Sequence, residues 1–225
     1  EPADRMAGSF SIPRPLAESV MAGREGVSVS LIQLYNACPF RFFAEYLAGA
    51  SERVISDDLA NHQGTILHRL MELAVDDLIQ LLATSAELDQ GAVMLNWQSQ
   101  LTGPYMRKLY RQAAEDRHLS WYKDPRLAGG IGERMIQRAA DNLRVLADFN
   151  IPGGFRPVRL EWYFPQKGRP AYQLTAGEHD FVFRGLVDRI DENPDGLIRL
   201  IDYKRSAREF SWLGLYDGTD LQLPL

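Results

Sequence analysis

Between two largely apolar runs, residues 183–191 and 197–204, stands Asn193-Pro194-Asp195-Gly196, and this turn constrains the fold more tightly than any other stretch of the chain. Proline suits the second position of a type I turn, and glycine takes the left-handed position without a side-chain penalty. A loop of Pro194, Asp195 and Gly196 closed by a glycine bulge is a common hairpin connection. It pairs Asn193 with Leu197, and counting outward in antiparallel register sets Asp188 opposite Asp202. Directly opposed residues share a face with Cβ atoms about 5 Å apart, where like charges repel. A divalent cation between the two carboxylates would reverse the sign of that interaction. Lys204, two residues beyond Asp202, projects from the same face by the strand period.

A bare carboxylate among Leu, Val and Ile is costly, so two of them on one hairpin call for a compensating partner. Two carboxylates and an ammonium together suit phosphodiester chemistry. Hard oxygen ligands hold Mg²⁺ or Mn²⁺, which polarises a phosphate, and a lysine offsets developing charge or orients the attacking water.

The rest of the chain reads as helices followed by strands. Residues 1–27 are rich in Gly, Pro and Ala without a sustained period and read as a linker or irregular arm. Ser30 and Gln33 form an S-x-x-Q capping box for a first helix. Pro39 interrupts that helix and suits the first turn of a second, leaving Cys38 at the junction. A long helix is expected from Asp58 to Leu82, with Ile66, Leu70, Leu73 and Leu78 on one stripe and Gly64, His68, Met71 and Val75 on another, so that it is buried on two sides. Residues 92–118 read as one helix and 131–149 as the next. From Pro157 the period becomes two, with strand signals at 158–164, YQLTA, FVFRGLVDRID and GLIRLIDYK. This order predicts an α/β domain with a β-meander flanked by helices.

Several motifs together carry a family resemblance. G-x-x-D-R-I-D (Gly185, Asp188, Arg189, Ile190, Asp191) followed by I-D-Y-K (Ile201, Asp202, Tyr203, Lys204) resembles the RecB-like branch of the PD-(D/E)xK nucleases. Gly64-Thr65-Ile66-Leu67-His68 is similar to the G-x-x-x-H helix of that branch, and Gln222 to the opening residue of its Q-x-x-x-Y motif. The entry stretch SVSLIQLYNACPFRFFAEYLAG resembles the helix before the nuclease core of AddB-type subunits of helicase-nuclease complexes. The resemblance runs from Ser28 to the last residue. It implies a restriction-endonuclease-like core, a mixed sheet flanked by helices with a helical N-terminal half, over residues 28–225, split into a mainly helical part at 28–150 and a catalytic sheet at 157–225.

The same resemblance implies site roles. His68, Asp188 and Asp202 become metal ligands, with the Tyr203 backbone carbonyl as a further ligand. Lys204 becomes the catalytic lysine, and Gln222 contacts DNA or supports the site. Glu161 lies where relatives often carry a glutamate on the first core strand, but its parity is opposite to the apolar face, which assigns it a supporting role at most. Arg205 and Arg208, directly after Lys204, are candidates for phosphate contact. Arg184, Arg189 and Arg199 read as the solvated side of a sheet. In many AddB-type proteins a cysteine in C-P-F begins a 4Fe-4S cluster, with three more cysteines near the C-terminal end. Here Cys38 is the single cysteine, so it is either a cluster ligand whose partners lie beyond residue 225 or a small apolar residue. The tyrosine of the Q-x-x-x-Y motif also falls past Leu225, and the chain reads as a domain cut from a longer protein.

The expected function is that of a Mg²⁺- or Mn²⁺-dependent deoxyribonuclease, exonuclease in preference to endonuclease, within a DNA-repair helicase-nuclease. The alternatives are a stand-alone RecB-like nuclease of the CRISPR-adaptation type and a DNA-binding scaffold with a vestigial site. The partners are DNA and a helicase subunit or helicase-like region. A formal net charge of -5 gives no global attraction to DNA, so any contact must be local or cation-mediated. No apolar run has the length of a membrane span and no signal peptide opens the chain, which reads as intracellular and cytoplasmic.

Overall fold

The computed structural model describes residue 15 and residues 26–50, 59–117, 128–166, 172–177, 179–204 and 211–221. In chain order the elements are α1 (Val29–Ala37), α2 (Pro39–Phe42), α3 (Leu59–Thr84), α4 (Gln90–Gln100), α5 (Gly103–Asp116), α6 (Glu133–Asn150), β1 (Arg156–Phe164), β2 (Gln173–Ala176), β3 (His179–Val182), β4 (Gly185–Glu192), β5 (Ile198–Ile201) and α7 (Trp212–Tyr216). The α/β class and the helical N-terminal half agree with the sequence. The chain divides into two compact units, one of Glu1–Arg53, Phe164–Gly185 and Phe210–Leu225, the other of Val54–Tyr163 and Leu186–Glu209.

In the first unit, α1 is capped by Ser28 and not by Ser30. Ser28 is extended, at φ -91° and ψ 154°, and its side chain accepts from the Leu31 amide. Two serines two positions apart offer the same local signal, and the backbone conformation of the first decides between them. Gln33, freed from a capping role, donates to the Thr219 carbonyl at 3.1 Å. Pro39 opens α2 as expected, and Cys38 caps it through Sγ, which accepts from the Arg41 amide. β2 and β3 form a separate antiparallel hairpin.

The second unit is built on α3. Ile66, Leu70, Ala74 and Val75 are fully buried, and α4, α5 and α6 supply Met94, Trp97, Met106 and Leu143 to the same core. The helix expected over 92–118 is two helices. Pro104 sits in the first turn of α5 and Leu101 breaks from helical geometry, because in one continuous helix Pro104 would have no N–H to donate to the Gln100 carbonyl. α6 ends in a short 3-10 turn with Gly154 left-handed at φ 64°.

The strands do not form a simple meander. The sheet order is β1-β4-β5, with β4 central. The apolar run expected as one strand breaks at Phe183 and Arg184, giving β3 to the hairpin and β4 to the sheet. Gly185 opens β4 where the Phe164 ring passes so closely that a Cβ would lie 2.6 Å from its Cζ. The β4–β5 register pairs Arg189 with Ile201 and Glu192 with Ile198. The Asn193 amide donates to the Leu197 carbonyl and Gly196 takes φ 78°, as the turn chemistry predicts. One step further along this register lie Asp188 and Asp202.

Candidate active site

Three elements bring three donor side chains together. α3 presents His68, held by the buried Leu67 and Met71 beside it. The central strand β4 presents Asp188, and β1 presents Glu161. His68 Nε2 lies 2.9 Å from Glu161 Oε1 and 3.6 Å from Asp188 Oδ1. One donor atom from each of the three falls within 4.8 Å of the others, a spacing that can hold a metal ion.

Glu161 reaches this cluster through an irregular backbone. Its φ is +45°, the left-handed region that a non-glycine residue seldom occupies. Strict alternation is lost there, since Leu160, Glu161 and Trp162 are all half-buried in succession. The parity argument from the sequence therefore fails at this residue. A left-handed residue inside a strand redirects its side chain, as bulges do beside active sites.

The electrostatics of the cluster are those of an unneutralised anionic site. Burial pushes the Glu161 carboxyl above its usual range, partly opposed by His68 and reinforced by Glu72 and Asp188. Burial likewise raises Asp188, while the Tyr203 backbone N–H and His68 pull it down. His68 Nε2 and Glu161 Oε1 are both buried, and despite their closeness neither makes a well-directed hydrogen bond. A buried imidazole nitrogen and a buried Glu161 oxygen without hydrogen-bond partners, with the Asp188 carboxylate beside them, fit a divalent cation by charge and by donor type.

Where the β4–β5 ladder ends, Asp188 Oδ2 accepts from the Tyr203 backbone amide at 2.7 Å. This bond fixes the start of the segment that carries Lys204. Lys204 Nζ lies 2.6 Å from Asp202 Oδ2, so among the described residues Asp202 is engaged by the lysine and falls outside the three-donor cluster. Gly64, His68, Asp202, Tyr203 and Lys204 line a cavity of about 290 Å³.

Behind the site is a buried polar network that sequence patterning does not reveal. Arg189 is 2% exposed and Asp191 0%, joined by Nε to Oδ1 at 2.6 Å and Nη2 to Oδ2 at 2.8 Å. Asn150 donates to Asp191 Oδ2 and accepts from Arg199 Nη1 at 2.7 Å. Arg199 stacks on the Phe155 ring at 3.9 Å. Arg189 and Arg199 are therefore not a solvated sheet face. The strand period was the available signal: opposite charges at 189 and 191 lie on one face of a strand that both neighbours cover. Tyr203 is reached by Arg189 Nη1 at 3.5 Å and packs edge-on against His68, so the network adjoins the site.

Gln222, Arg205 and Arg208 lie outside the described residues. Cys38 serves as a helix cap within the first unit.

An imidazole from α3 and carboxylates from the neighbouring strands β1 and β4 of an α/β fold, with a lysine just past β5, form a donor set that could hold a metal ion. The family profile of the PD-(D/E)XK nuclease superfamily matches residues 26–225, and the chain belongs to that superfamily. It is 30% identical over 218 residues to the B-type subunit of the ATP-dependent helicase/deoxyribonuclease of Moorella thermoacetica, covering 95% of this chain and 17% of that protein. The protein of the same name from Streptococcus mutans serotype c is 29% identical over 229 residues, covering 98% and 17%. That from Symbiobacterium thermophilum is 29% identical over 237 residues, covering 95% and 18%. The chain thus spans less than a fifth of the length of these relatives.

Proposed function

We propose that residues 28–225 form the nuclease domain of a DNA-repair helicase-nuclease acting inside the cell, and that it hydrolyses DNA phosphodiesters with Mg²⁺ or Mn²⁺. The observation that carries the reading is the convergence of His68, Glu161 and Asp188, with buried donor atoms left unsatisfied, beside the strand end that bears Lys204. The name shared by the relatives supports DNA as substrate and a helicase as partner.

His68, Asp188 and Glu161 hold the cation, with Asp202 and the Tyr203 carbonyl as the further ligands implied by the motif. A divalent cation bound there supplies Lewis-acid polarisation of the scissile phosphate. The chain's own groups do the rest. The Tyr203 amide orients Asp188. Asp202 holds the Lys204 ammonium at the cavity edge, where it neutralises charge building on the phosphate and positions the attacking water. Arg205 and Arg208 follow as phosphate contacts, and Gln222 supports the site.

Degradation of end-labelled DNA in Mn²⁺ tests the reading. Asp188→Asn and Lys204→Ala each lower the rate by about a thousandfold, the scale seen when a group stabilising the transition state is removed. Retention of full activity in either variant sinks the assignment. Calorimetry separates the enzyme from a vestigial scaffold, because only a competent site binds Mn²⁺ stoichiometrically and loses it in Asp188→Asn.

A further inference from the structure

A second groove of about 600 Å³ runs along the seam of α3 and α6. It shares Leu67 and Asn142 with the cavity that His68 and Lys204 line, so the two are adjoining parts of one valley. From Asn142 the row continues to Arg138 and Arg134, at i-4 and i-8 on α6. At the rise of an α-helix this row is about 12 Å long.

The charge of this valley differs from that of the chain. Arg134 and Arg138 are exposed, and among the described residues neither has a carboxylate partner. Asp141, the acidic residue of the groove, is engaged by Arg144 Nη1 at 2.9 Å and Gln137 Nε2 at 2.8 Å. Among the described residues the lining offers guanidinium and amide donors beside the apolar Leu67, Ile131 and Met135, with no aromatic ring, so it suits a phosphate backbone and not stacked bases. A single row of cations fits one row of phosphates, whereas a duplex presents two.

We infer that the α3–α6 seam is the track of a single DNA strand, with Arg134 and Arg138 holding successive phosphates on the far side of Asn142 from the scissile bond. This rests on the nuclease reading above and adds the path and strandedness of the substrate. The contact is to backbone, so it is independent of sequence and released by salt.

The test measures kcat/KM on a short single-stranded oligonucleotide and on the matching blunt duplex as NaCl is raised, using the whole protein in Mn²⁺. In Arg134→Ala/Arg138→Ala the value on single strands falls roughly tenfold at moderate salt, and the log–log salt slope becomes shallower by about 1.4, two phosphate contacts at about 0.7 each. Arg134→Lys/Arg138→Lys restores the slope, which a loss of folding would not allow. Arg111→Ala, an exposed charge of α5 outside the groove, behaves as wild type. A wild-type slope in the double alanine variant, or an effect confined to duplex, overturns the track. If Asp188→Asn is inactive in the same assay, that failure belongs to the groove alone. If Asp188→Asn is fully active, the site reading fails and the track fails with it.

Discussion

The helices and the sheet of the second unit bury different things. From α3 to α6 the interior is hydrocarbon: Ile66, Leu70, Ala74, Val75, Met106 and Leu143 are at or near zero exposure. In β4 and the residues next to it the buried side chains are Asp188, Arg189, Asp191 and Asn193, with Asn150 at the end of α6. A packed helical layer provides the stability that allows a sheet to hold buried charged groups, since hydrophobic burial stabilises while desolvation of charge opposes folding.

The largest expected effect breaks the polar side of this comparison. Asp191→Ala leaves Arg189 buried without its partner and costs about 3–5 kcal/mol, read by urea unfolding. Replacing the pair together, as Arg189→Met/Asp191→Leu, recovers much of that loss, and a double variant no more stable than Asp191→Ala would show that the pair is more than a compensated charge. On the hydrocarbon side, Leu70→Ala costs about 3 kcal/mol through lost burial and a cavity, with the denaturant midpoint as the measure.

Asp188→Asn separates function from stability. In Mn²⁺ at a hundred times its dissociation constant, the wild type gains about 2.7 kcal/mol from binding. The variant loses that gain. Without metal it is more stable than wild type near neutral pH, because an ionised carboxylate in a buried anionic cluster opposes folding. The pH dependence follows from the same shifts. Asp188 and Glu161 hold their protons more tightly folded than unfolded. Their contribution therefore favours folding at low pH and is lost as pH rises from the ordinary carboxylate range, about 4, through their raised values. Thermal unfolding in EDTA across that window should show wild type losing more than Asp188→Asn, whereas Mn²⁺ stabilises wild type increasingly as pH rises. The smallest effect is Ser28→Ala, about 1 kcal/mol for a lost cap; an equal loss from Ser30→Ala would contradict the assigned helix start.

The hairpin was readable because its determinants are local. Pro194 and Gly196 set a loop of one length, that length sets the register, and the observed ladder keeps that register as far as Arg189 and Ile201, one step short of Asp188 and Asp202. The buried stripes of α3 were readable for the same reason, since a helix repeats its contacts every turn. Glu161 was not, because its side chain direction depends on one left-handed backbone angle that no neighbouring residue announces. Arg189 reads as solvated from the sequence because charge alone does not reveal that β4 is central, which depends on β1 arriving from far along the chain. Ser28 and Ser30 differ only in backbone conformation, so the choice of cap was likewise hidden.

The sequence by itself determined the turn, the periods of the helices and strands, and the motifs that bring the chain into its superfamily. Each rests on steric and hydrogen-bonding rules that act within a few residues. Only the tertiary structure decided that Glu161 joins His68 and Asp188 while Asp202 turns to Lys204, and that a charged pair is sealed behind them. Those outcomes depend on where α3, β1 and β4 meet, and packing between distant segments, not local preference, sets that meeting.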